Sequence, residues 1–297
     1  MNTWLPALIN GVAIGGLYAL FALSVVILHR GAMIVNFAHG NVAMVLAFIS
    51  YEVMNVLGVG PWPALLICLP ISALLVITIH LGVITPRRDA IGASDDSLNT
   101  LFRTLALMLL LYAIAQRIWG PGEPYVFKSL FTGAGFKIGG YRVSALQIGA
   151  LGMAIALSLG LGLLVQRTNW GLLMRATSSG RPTASLLGVR VMTVELISWV
   201  IAGMLLLVVG MMFASFYSLS VNLMTAVLLQ GFTAAILGGL NSFRGALVGG
   251  LFVGIMNSEL AVYAGPEWQA IGALVVMMAV LLVRPAGIFG SALVERV

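Results

Sequence analysis

Apolar stretches close to twenty residues long, parted by short polar segments, run through the whole chain. Read by hydropathy, they give nine candidate spans: Leu5 to Leu28, Val35 to Leu57, Pro63 to Ile84, Thr104 to Trp119, Val143 to Val165, Val194 to Phe216, Asn222 to Leu240, Ala246 to Tyr263 and Trp268 to Val283. A helix needs about 20 apolar residues to cross the hydrocarbon core of a bilayer, whereas a membrane-spanning strand alternates apolar and polar positions over about 10. The pattern predicts an all-α polytopic membrane protein with about eight or nine transmembrane helices. Two spans are interrupted. The second opens on Asn36, His39 and Asn41, and the seventh carries Gln230 and ends in Gly238-Gly239. Each predicts a broken or re-entrant helix.

The run Val35-Asn36-Phe37-Ala38-His39-Gly40-Asn41 is the most telling interruption. Two amides and an imidazole at membrane depth are costly unless they pair with one another or line a watery cavity. Asn36, His39, Gly40 and Asn41 are therefore the candidate translocation-pathway or helix-break residues, with Gly40 supplying backbone freedom. Bracing of the break by a bond to a backbone carbonyl is the first role expected of His39, and contact with solute the second.

Composition agrees with the pattern: 61% of residues are hydrophobic and 8% charged, with a mean hydropathy of +1.09. The basic residues orient the spans. With the N-terminus outside, Arg30, Arg87, Arg88, Arg103, Arg167, Arg175, Arg181, Arg190, Arg244, Arg284 and Arg296 face the cytoplasm and Arg117, Lys128, Lys137 and Arg142 face out, 11 against 4. Such a split is what the positive-inside bias produces, and the formal charge of +6 is too thinly spread to track the phosphates of a nucleic acid. No positive charge precedes Arg30, so a cleaved signal peptide is not expected at the start.

Between the fifth and sixth spans lies the longest cytoplasmic segment, 166 to 192, which contains GLLMRATSSGRPTASLLGVRV. Its amphipathic pattern predicts a short helix pair. Small residues on its apolar face would let another protein approach the backbone, which makes Arg175, Ala176, Ala184 and Gly188 candidate docking residues, assigned to ATPase coupling by the resemblance given below; a surface-lying connector is the other reading. Glycines at small-xxx-small spacing, Gly11 with Gly15, Gly245 with Gly249 and Gly250 with Gly254, predict close helix packing. The interruptions at Asn36 to Gly40 and Asn241 to Gly245 each follow a cytoplasm-directed span and precede an outward one, a weak internal repeat.

Enzyme chemistry finds little support. His29, His39 and His80 lack metal-ligand spacing, Cys68 has no partner, and no nucleophile elbow or phosphate-binding loop occurs. Asp95 and Asp96 read as a solvated loop, and Glu52, Glu195 and Glu259 as boundary residues that reach the interface. No cofactor or metal is expected, and any ATP hydrolysis belongs to a separate chain.

The segments GLYALFALSVVILHRGAMIVNFAHGNVAM (16 to 44), GLLMRATSSGRPTASLLGVRV (171 to 191), AILGGLNSFRGALVGGLFVG (235 to 254) and LVRPAGIFG (282 to 290) resemble, in order, blocks of the branched-chain amino acid ABC transporter permeases, and most closely the LivH-type subunit. Two positions depart from that pattern: Asn41 stands where an acidic residue is usual, and 44 to 51 lacks the usual glycine. The resemblance implies a single permease domain over residues 1 to 297 of a bacterial-type inner-membrane importer for branched-chain amino acids or a related small polar solute. It implies as partners a second permease of LivM type, two cytoplasmic ATPases, an extracytoplasmic substrate-binding protein and membrane lipid, with 171 to 191 as the coupling element. Beside it stand a secondary transporter and a passive channel for a solute such as urea or an amide, neither of which has use for the 166 to 192 segment.

Overall fold

The computed structural model describes residues 4–85, 96–120, 122, 124–138 and 141–290; Arg87, Arg88, Asp95 and Arg296 lie outside them. Eleven α-helices follow in chain order: α1 (Trp4–Ala32), α2 (His39–Leu57), α3 (Pro61–Ile79), α4 (Asp96–Trp119), α5 (Ala145–Arg167), α6 (Asn169–Ser179), α7 (Arg181–Leu186), α8 (Val191–Tyr217), α9 (Leu223–Gly238), α10 (Phe243–Tyr263) and α11 (Trp268–Val283). Among the described residues one antiparallel hairpin, β1 (Phe136–Ile138) and β2 (Tyr141–Val143), interrupts them between α4 and α5. Among the described residues seven helices are long and apolar enough to cross a membrane. The remaining two apolar helices, α9 and α11, have 16 residues each, or about 24 Å, against a hydrocarbon core of about 30 Å. The chain is an all-α polytopic membrane protein, and these nine helices fall on the nine apolar stretches, although α9 is unbroken from Leu223 to Gly238 where an interruption was expected.

Two compact units make up the chain: unit 1, residues Met1–Val26, Phe131–Arg167 and Leu229–Val297, and unit 2, Ile27–Leu130 and Thr168–Leu228. Unit 1 is held by glycine. A Cβ placed on Gly254 would strike the backbone of Gly15 and Gly11, and one on Gly250 the backbone of Ala19. The two small-xxx-small pairs Gly11/Gly15 and Gly250/Gly254 are thus the facing halves of one α1–α10 seam. The third pair, Gly245 and Gly249, meets Gly238 and the Ala234 carbonyl of α9 in the same way. Without a hydrophobic drive between helices in lipid, such backbone-to-backbone packing is what holds them.

Unit 2 is built on α8, whose Gly210 abuts the Ala43 carbonyl of α2 and whose Gly203 abuts Val76 of α3. The last turns of α3 widen into a π-helical segment, His80–Ile84, closed by Thr85 N–H donating to the His80 carbonyl at 3.0 Å.

Candidate translocation and coupling site

The break in the second span is present. Helix α1 stops at Ala32, residues 33 to 38 are non-helical, and α2 begins at His39, so the four residues Val35 to Ala38 of that span precede its helix. Asn36 builds the new N-terminus: its side-chain oxygen accepts from Ala38 N–H at 3.0 Å and its carbonyl from His39 N–H at 3.2 Å. Asn36 and His39 are both buried, at 2% and 1% exposure.

Gly40 plays a different part from the one its sequence position suggests. It lies inside α2, and the positive φ of the break belongs to Met33, at 55°. A Cβ on Gly40 would sit 3.2 Å from the Met224 carbonyl and 3.3 Å from the Leu228 side chain, so glycine here provides room for α9 and not backbone freedom. Asn41 is half-buried and turns to α4, its side-chain amide donating to the Met108 carbonyl at 2.6 Å.

That bond starts a polar line along α4. One turn above Met108, the Tyr112 hydroxyl donates to the Asn222 side-chain oxygen at 3.1 Å, and one turn further Gln116 donates to the Tyr112 oxygen at 2.8 Å. Tyr112 and Gln116 are half-buried and Asn222 is exposed, flanked by exposed Leu109, Leu110 and Ile114. Side chains that bond one another on an otherwise lipid-compatible face form a strip that water and a polar solute can wet. At its far end the Trp119 indole donates to Glu52 at 2.9 Å and stacks on Phe48 at 4.5 Å between ring centres. Sequence reading missed Tyr112 and Gln116, although their i, i+4 spacing inside an apolar span was the available signal.

The segment 166 to 192 contains the expected pair of short helices, α6 and α7, with the Thr168 hydroxyl capping α6 by accepting from Gly171 N–H at 3.4 Å. Arg175 and Gly188 are exposed, Ala176 is half-buried and Ala184 is buried at 2% exposure. Ala184 therefore packs inward as a support for α7. Gly188 has φ +83° with open space around it, so glycine is demanded there by the backbone. Leu186 and Leu187, at 87% and 78% exposure, form the bare apolar tip. Behind the tip, Trp170, Leu173, Val189, Arg190 and Ile197 line a groove of about 440 Å³.

Beneath α7 lies a buried ionic cluster. Glu195, in the first turns of α8 and 4% exposed, pairs with Arg181 of α7, and the His80 ring stands 3.9 Å from its second carboxylate oxygen and 5.6 Å from the Trp199 ring. Glu195 is thus an interior clamp where a boundary residue was expected; Glu52, by contrast, receives the Trp119 indole near the end of its helix. The clamp joins α7, α8 and the π-helical end of α3.

Residues 7–281 match the family described as branched-chain amino acid transport system / permease component. The high-affinity branched-chain amino acid transport system permease protein BraD of Pseudomonas aeruginosa is 27% identical over 306 residues, covering 99% of this chain and 98% of that one. LivH of Salmonella typhimurium is 27% identical over 312 residues and LivH of Escherichia coli 26% over 305, each covering 99% of this chain and 98% of the relative. A solved structure, PsaBC from Streptococcus pneumoniae in complex with Fab, is a more distant likeness: 13% identity and a TM-score of 0.48 over 96% of this chain and 93% of that one. With its helical spans and a matched region that takes in almost its whole length, the chain belongs to the branched-chain amino acid transport system permease family.

Proposed function

We propose that this chain, as one permease domain, is a transport subunit of an ATP-driven importer, and that its solute is a branched-chain amino acid or a related small zwitterion. The relatives named above support the solute class, and the arginine distribution supports an orientation with α6 and α7 in the cytoplasm of a bacterial inner membrane. The ATPases are separate chains, a second permease of LivM type completes the pathway, and an extracytoplasmic binding protein delivers the solute. Asn41, Tyr112, Gln116 and Asn222 line the path; Asn36 and His39 hold the break that presents Asn41, and Gly40 gives α9 room beside it.

The observation that carries coupling is the bare Leu186-Leu187 tip on a helix pair anchored from below by Arg181 and Glu195. Two leucines facing water gain by docking, and the anchor passes a push on α7 into α8 and α3. The test is Leu186→Asp with Leu187→Asp in the assembled transporter. Co-purification of the ATPase and uptake should both fall at least tenfold with the permease level unchanged, since each leucine buried at an interface contributes about 1.5–3 kcal/mol. Normal ATPase binding in the double variant overturns the docking assignment, and ATP-independent uptake overturns the importer.

A further inference from the structure

In unit 1 a groove of about 150 Å³ opens between the C-terminal half of α5 and the first turns of α10, room for a group much larger than one water. Its walls carry two chemistries. Leu159 and Leu163 of α5, at 59% and 51% exposure, and Leu247 of α10 make it apolar along its length. At its end stand the exposed Arg244 side chain, the Gln166 amide and the N-terminus of α10, where the Ser242 hydroxyl accepts from Gly245 N–H at 3.0 Å. No acidic residue lines the groove, and no carboxylate pairs with Arg244 among the described residues. Ser158 lines the same groove at 7% exposure, and its buried hydroxyl oxygen has no hydrogen-bond partner among the described residues.

We propose that this groove is a binding site for an anionic phospholipid of the cytoplasmic leaflet. The phosphate lies against Arg244, Gln166 and the α10 N-terminus, and an acyl chain follows Leu163 and Leu159 inward to Ser158, about 12 Å deeper along α5. The cation and the oriented N–H groups select a negative charge. The leucines select an amphiphile over a free anion, because a soluble phosphate leaves them exposed. The arginine bias places the Arg167 end of α5 and the start of α10 at the cytoplasmic surface, the depth at which a lipid phosphate sits.

The test uses the complete transporter, stripped of lipid in detergent and titrated with phosphatidylglycerol or phosphatidylcholine, with bound lipid read by native mass spectrometry. Two variants separate charge from space. Arg244→Gln removes the cation from an exposed position. Gly162→Leu fills the groove, because a side chain at Gly162 meets nothing within 4 Å and so grows into the opening without displacing the fold. The protein should retain phosphatidylglycerol about fivefold over phosphatidylcholine, the preference one well-placed basic residue gives. Either variant should abolish that preference, and excess inorganic phosphate should leave the bound lipid in place. Equal retention of the two lipids, or unchanged retention in both variants, overturns the site. Displacement by inorganic phosphate makes it a free-anion site, and loss of the second permease from Gly162→Leu with lipid binding intact makes it a subunit seam. Should Gly162→Leu fail to accumulate, retention by Arg244→Gln decides: an undiminished phosphatidylglycerol preference in that variant overturns the site.

Discussion

The α1–α10 seam of unit 1 and the α2–α4 seam of unit 2 solve the same problem, joining two apolar helices, with opposite chemistry. The first removes side chains until backbones touch, at Gly11, Gly15, Gly250 and Gly254. The second keeps polar side chains and makes them bond across the gap, at Asn41 with Met108 and at Glu52 with Trp119. A glycine seam offers no polar side chain for a solute to recognise and no slack to open, so it suits a frame. A bonded polar seam can exchange its partners for water or solute at little net loss, so it suits a pathway.

If that division is right, damage to the two seams should differ in kind. The greatest loss is expected from Gly254→Leu, whose side chain would occupy the Gly15 backbone. Overpacking a tight core costs about 1–3 kcal/mol where neighbours can yield, and backbone yields less. The amount of monodisperse protein recovered from membranes should fall at least tenfold, and a normal yield would show the seam to be loose. Next in size is Glu195→Ala, which takes the carboxylate away from both Arg181 and His80. The loss should stay below the roughly 3–5 kcal/mol of a fully buried pair, because the Arg181 side chain is 28% exposed. Thermal unfolding of purified protein should shift downward, with most of the shift recovered in Arg181→Gln with Glu195→Gln. A double variant as unstable as the single one would remove the clamp.

Asn41→Asp should leave the protein level intact and lower uptake several-fold. A carboxylate cannot donate to the Met108 carbonyl, although an acid is the residue usual at this position in the resembling permeases. Wild-type uptake in Asn41→Asp would mean that the bond to α4 is dispensable. The smallest effect is expected from Tyr112→Phe, which removes one donor to Asn222 and the acceptor of Gln116. A net hydrogen bond is worth about 0.5–1.5 kcal/mol, so the apparent affinity for solute should weaken by a few-fold with stability unchanged. A stability loss without a transport change would turn the strip into mere packing.

Much of this architecture was legible in the sequence, because lipid imposes a simple rule on length and polarity. The nine spans, the break before His39 and the α6–α7 pair all follow from continuous apolar runs and their interruptions. The glycine pairs announced close packing, but only three dimensions show that Gly11 and Gly15 are the partners of Gly250 and Gly254. Gly40 was read as a source of freedom, since a glycine beside a break has two uses and only the position of Met224 decides between them. Glu195 escaped because its partner, Arg181, lies on another helix, and a charge near a span end normally reaches water. The polar line on α4 is spread one residue per turn, with its last member, Asn222, supplied from 110 residues away in sequence.

The two anchors between α2 and α4 have a mechanical consequence. Asn41 to Glu52 and Met108 to Trp119 are each eleven residues apart, so the ties lie at matching heights, about 16 Å from one another along the pair. One tie would leave the helices free to swivel; two, while both are made, resist swivel and slip together. Helices α2 and α4 must then travel as a single lever. The non-helical residues 33 to 38, tied to α1 by Met33 N–H donating to the His29 carbonyl at 2.8 Å, are the link by which α1 holds that lever.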